Sequence, residues 1–202
     1  MRRTTWWRVV QGWYWLALGA WFGALVMLAI AAAAVFGTLR YFPTPLGPMP
    51  AEMASRVFNP TEVAGLIVGQ AIDWLRVMQW ICASIAIVCV VLQYVVLSSW
   101  LPKGGFAQWM NTLRITLLMA VVLILAGDSF YVGPRIRHWR AAMHAPSENS
   151  VGDVQAAREA FDHYHDLSVR LVKMKLLMLG VAVLSSAFAL QGEPGAVARN
   201  SS

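Results

Sequence analysis

The sequence predicts an all-α fold, an integral membrane four-helix bundle with short interfacial helices, and three observations carry that prediction. The 202-residue chain is 58% hydrophobic and only 13% charged, with a mean hydropathy of +0.57, whereas soluble domains carry roughly a quarter charged residues. No formal charge falls between Arg8 and Arg40, and none between Arg76 and Lys103; each stretch exceeds the ~20 apolar residues that a spanning helix needs. Many of the ten tryptophans, among them Trp6, Trp13, Trp74, Trp100 and Trp139, lie near predicted helix ends, where an amphipathic ring favours the headgroup layer. Residues 1–202 read as a single four-span membrane domain without a repeat or a soluble domain.

The first span is predicted at about 13–39. Its basic leader MRRTTWWR is reminiscent of a secretory signal, but the apolar run far exceeds the ~7–15 residues of a signal core, so a retained helix is expected. Pro43, Pro45, Pro48, Pro50 and Pro60 then deny the next segment a continuous helix and predict an exposed linker. From Glu62 to Met78 apolar residues recur at helical spacing, which predicts an amphipathic helix that lies at the interface or extends the second span, 77–99. Pro102 and Gly104-Gly105 mark a short hairpin, making the second and third helices antiparallel neighbours. The third span, 115–134, ends at Gly133-Pro134 and carries one acid, Asp128. A polar loop follows, and the fourth span, 171–190, opens with Lys173 and Lys175. Residues 192–202 are Gly-, Pro- and Ser-rich and read as a disordered tail.

Four spans place both termini on one side. That side carries Arg2, Arg3, Arg8, Lys103, Arg114 and Arg199, six of the sixteen cations; the first and third connections carry the other ten. The total count favours cytoplasmic first and third loops, while the first helix alone favours a cytoplasmic N-terminus. The net charge of +6 is juxtamembrane charge suited to anionic headgroups and is not read as a nucleic-acid footprint. The expected partners are the lipid bilayer and a second copy in a homo-oligomer, with no nucleic acid, and the setting is a bacterial-type cell membrane.

The polar residues of the spans give the candidate site. An acid on a spanning helix costs roughly 2.5–3.5 kcal/mol at mid-bilayer and normally has a partner. Lys175 enters from the same side as Asp128, so an Asp128–Lys175 ion pair is expected, with Lys173 or Arg76 as alternates. On the segment FDHYHDLSVRLVKMK, His165, Ser168 and Lys175 share one helical stripe with Phe161, while Asp162, Asp166, Arg170 and Lys173 share a solvated one. The expectation is that His165, Ser168 and Lys175 meet Asp128 at one membrane face. His163 and His165 cannot chelate one ion from a regular helix, because two positions correspond to about 200° of rotation. No cofactor is therefore predicted, with haem or copper as the alternative.

Gly19 and Gly23, and Gly65 and Gly69, each form G-x-x-x-G, a spacing that permits close helix packing in a bilayer. Cys82 and Cys89 lie on one face of the second span but about 10 Å apart along its axis, too far for a disulfide. There is no nucleophile–base pair, phosphate loop or carboxylate pair at catalytic spacing, so no catalytic residue is assigned.

Taken together, the charge-free first span, AGLIVGQ at Ala64 to Gln70, FYVGPRIRHWR at Phe130 to Arg140 and FDHYHDLS at Phe161 to Ser168 resemble the transmembrane protein 205-like group, also called domain of unknown function 4149. The resemblance covers most of the chain from the first span to Ala189, and its most specific part is matched by Phe161, Tyr164, His165, Leu167 and Ser168. It implies a four-span membrane protein of unsettled biochemistry, distantly similar to copper-resistance and haem-related membrane proteins that use histidines absent from the first three spans here. The chain departs from the group in its long Pro-rich linker and in Arg170, Lys173 and Lys175. Three functional readings follow: a structural or interaction protein, a small transporter or permeability factor using Asp128 and His165, and a metal- or haem-linked redox protein.

Overall fold

The computed structural model describes residues 2–41, 60–95, 105–144 and 151–190, with side chains described for 5–38, 68–95, 105–143 and 155–189. All of the described chain is helical: α1 is Arg2–Tyr41, α2 is Pro60–Val95, α3 is Gly105–Gly127, a π turn spans Asp128–Val132, α4 is Gly133–His144, and α5 is Val151–Leu190. Four helical stretches, Thr5–Thr38, Val68–Val95, Gly105–Met143 and Gln155–Ala189, are long and apolar enough to cross a membrane. The Pro-rich linker, the 98–104 part of the hairpin and the 192–202 tail lie outside the described residues.

The helices are longer than the predicted spans. With 40 residues each, α1 and α5 extend about 60 Å at 1.5 Å per residue, against a hydrocarbon core of ~30 Å. No separate interfacial helix is present among the described residues: the Glu62–Met78 segment is continuous with α2, and the polar stretch after Pro134 continues the third span as α4. Helix survives Pro134 because the chain inserts a π turn before it. Proline offers no N–H to the carbonyl four residues back, and the preceding Gly133 N–H instead reaches the Asp128 carbonyl five residues back, so the turn widens and the helix proceeds.

Two close pairs, α1 with α2 and α3 with α5, make up the bundle. They join chiefly where α1 meets α5, while α2 and α3, the expected neighbours, touch at few points among the described residues. The α1 stripe Tyr14, Leu18, Trp21 and Leu25 enters the core, and α2 supplies Cys82, Ala83, Ala86 and Cys89. Small side chains in a core that also holds large ones let helix axes approach closely in a bilayer. Van der Waals contact is the main gain, because lipid tails are as apolar as the core itself.

The glycines expected to pack helices do not do so where their surroundings are described. A side chain added at Gly19 or Gly23 would meet nothing within 4 Å, so both face away from the bundle and do not pack its helices. Gly69 does face a neighbour, but this is the Arg140 guanidinium, 2.8 Å from the position a Cβ would take. Gly65 lies in α2, outside the described side chains. Small residues do enter the core from α2, as Cys82, Ala83, Ala86 and Cys89, and Cys82 and Ala86 stand at the same four-residue spacing without glycine.

Candidate functional site

The π turn places Asp128 on the inner face of the bundle. Lys175 Nζ donates to Asp128 Oδ2 at 2.8 Å and to Gln79 Oε1 at 3.3 Å, and Ser168 Oγ donates to Asp128 Oδ1 at 3.3 Å. Lys175 is 0% exposed, and Gln79 and Asp128 are also buried. Ser168 and Lys175 are seven positions apart on α5, two turns on one face, so a single helix supplies both donors to the carboxylate. Gln79 comes from α2, and next to it Trp80 Nε1 donates to Ser129 Oγ at 3.2 Å. The cluster therefore joins α2, α5 and the π turn through charge-assisted hydrogen bonds, which are roughly twice as strong as neutral ones.

The other members of the expected site lie elsewhere. Lys173 is exposed. Arg76 pairs with Asp73 at 2.7 Å, and its guanidinium packs over Gly133, where an added Cβ would stand 2.9 Å from Arg76 Nη2. His165 is exposed and stacks on Phe161, with centroids 5.7 Å apart and an interplanar angle of 10°. The expected shared stripe of His165 and Lys175 does not hold, because ten residues at 3.6 per turn set His165 about 80° away from Lys175 around the axis.

The FDHYHDLS segment is a docking strip. Phe161 carries the Arg140 guanidinium 5.5 Å above its ring, and the Tyr164 hydroxyl accepts a hydrogen bond from Arg135. Arg135 also lies 4.1 Å over the Tyr131 ring. Tyr131, Arg135 and Arg140 all belong to FYVGPRIRHWR, so the two segments singled out in the sequence are the two sides of one contact. Cation–π pairs of this kind contribute about 0.5–1 kcal/mol where exposed.

A second polar cluster lies toward the other end of the bundle and was missed in the sequence. Arg114, counted there only as a sidedness charge, is 0% exposed. Its Nε donates to Asn111 Oδ1 at 2.8 Å, its Nη2 donates to Gln93 Oε1 at 2.7 Å, and its guanidinium lies 5.1 Å over the Tyr14 ring. Asn111 Nδ2 in turn donates to Tyr94 Oη at 2.7 Å, and Tyr14 Oη and Ser186 Oγ are 3.0 Å apart. The available signal was the four-residue step from Arg114 to Leu118, then Val121 and Leu125, which marks a buried helical stripe.

Among the described residues no group of three or more His, Cys, Asp or Glu side chains is placed to hold a metal ion. Cys82 and Cys89 are buried free thiols. No family model, curated protein or solved structure matches the chain.

Proposed function

We propose that this chain is a structural or interaction protein of a bacterial-type cell membrane, of the transmembrane protein 205-like kind, with both termini on the same side and Asp128–Lys175 as the lock of its bundle. The supporting observation is the closure of that pair: each carboxylate oxygen accepts a hydrogen bond, the ammonium has two acceptors, and the site is withdrawn from solvent. An ion pair so satisfied holds three helical elements in one register, and a buried polar group of this kind is best attested as a device that fixes register. Reconstitution into liposomes tests the reading. The wild type and Asp128→Asn are expected to carry no proton or solute flux above protein-free liposomes; a flux in the wild type that Asp128→Asn abolishes would overturn it.

A transporter reading rests on the π turn. Such turns occur often at functional sites, and this one holds Asp128, which Ser168 connects to a half-buried part of α5. In that reading Asp128 and Ser168 carry the polar path without His165. For the haem- or copper-linked reading, nothing in the described side chains supplies a supporting arrangement.

A further inference from the structure

Arg114 is a buried cation with no counter-charge among the described residues. The described acids Asp73, Asp128, Glu159, Asp162 and Asp166 all lie toward the opposite end of the bundle. Asp128 itself is fourteen positions along the same helical run, about 20 Å away at 1.5 Å per residue, and is already neutralised by Lys175. The groups around Arg114 are neutral acceptors and a ring face. A single removed charge of this kind costs several kcal/mol unless paired.

Two donors at this place are buried and unpartnered, Arg114 Nη1 and Gln93 Nε2. The orientation of the Gln93 amide follows from chemistry, because a guanidinium only donates and Gln93 Oε1 must therefore face Arg114 Nη2. Each orphan nitrogen is then geminal to an atom of that 2.7 Å hydrogen bond, so the two stand on adjoining groups. A positive group with two adjacent free N–H donors calls for an acceptor bearing negative charge. Arg114 lies at the seam where α2 and α3 touch little, and its partner Asn111 is hydrogen-bonded to Tyr94, which is 44% exposed.

We propose that Arg114 and Gln93 form a binding site for an anionic oxygen group, a carboxylate or a phosphate, supplied by a free anion or by the headgroup of an anionic lipid. The guanidinium supplies the charge through Nη1, the Gln93 amide supplies the second donor, and Asn111 and Tyr14 fix the guanidinium plane. This inference is independent of the Asp128–Lys175 reading, since the two clusters share no residue.

The test is thermal unfolding of the full chain in neutral detergent over a series of sodium acetate and sodium phosphate concentrations. The comparison is Gln93→Glu, which brings a carboxylate to Arg114 within the chain. The wild type is expected to gain a saturable rise of roughly 5–10 °C at a hundredfold excess over the dissociation constant. Gln93→Glu is expected to unfold at higher temperature without added anion and to lack the saturable rise. Non-specific salt effects act on both proteins alike. Native mass spectrometry from nanodiscs of phosphatidylglycerol or of phosphatidylcholine distinguishes the source. Phosphatidylglycerol retained by the wild type and lost in Arg114→Met marks a lipid headgroup, and a saturable acetate or phosphate response without retained lipid marks a free anion. Three results overturn the site: neither response in the wild type, a response in Gln93→Glu equal to that of the wild type, or a fall in unfolding temperature in Glu193→Gln with no anion response, which assigns the counter-charge to the chain itself.

Discussion

Lys175 reaches Asp128 across the bundle at 2.8 Å, with the lysine side chain 0% and the aspartate side chain 5% exposed. Their separation of 47 positions in sequence makes the contact a property of the packed α3–α5 pair. Removing one partner leaves an unpaired charge in a low-dielectric interior, whereas removing both leaves none.

A double-mutant cycle should therefore be strongly non-additive. Asp128→Asn and Lys175→Met are each expected to destabilise by about 3–5 kcal/mol, and the double variant by well under their sum. Chemical unfolding in detergent micelles measures the coupling, and additive losses would show that the pair holds nothing together.

Ser168 and His165, three positions apart, should behave differently. Ser168→Ala removes a donor from the Asp128 carboxylate and is expected to cost about 1–2 kcal/mol. His165→Ala removes an exposed ring stacked on Phe161 and is expected to cost about 0.5 kcal/mol. Unfolding of the two variants beside Asp128→Asn checks this, with Ser168→Ala coupled to Asp128 and His165→Ala additive with it.

Glycine substitutions should sort by what faces them. Gly133→Ala brings a Cβ to 2.9 Å from Arg76 Nη2 and 3.2 Å from the Asp128 carbonyl oxygen, and is expected to cost about 1–3 kcal/mol by overpacking. Gly19→Ala meets nothing within 4 Å and is expected to gain about 0.5–1 kcal/mol from helix propensity. Melting temperatures of both variants provide the measurement; a destabilising Gly19→Ala would indicate that a second chain covers this face.

Cys82 and Cys89 should report on the packing of the bundle core. Both are buried, so maleimide labelling is expected only as the bundle opens. Ala86→Leu, at a position 0% exposed, is expected to cost about 1–3 kcal/mol and to accelerate labelling. Labelling of the native protein at the rate of a free thiol would contradict the packing of this face.

Composition and charge spacing were enough to read the four apolar helices, because a bilayer admits few ways of satisfying a backbone, and a charge-free run of sufficient length is a direct record of that constraint. Helix lengths were harder to read, since polar ends such as Gly133–His144 are held by contacts of Arg135 and Arg140 with α5 that no local pattern reveals. Composition and charge placement are sufficient to predict the all-α membrane-type class and to bring Asp128 and Lys175 to the same end. Helix packing adds that Ser168 and Gln79 complete their cluster, that His165 stands outside it, and that Arg114 is buried with no acid beside it among the described residues. The reason is rotational: a few degrees per turn accumulate along long helices, and a π turn adds a residue, so which face meets which neighbour is fixed by packing.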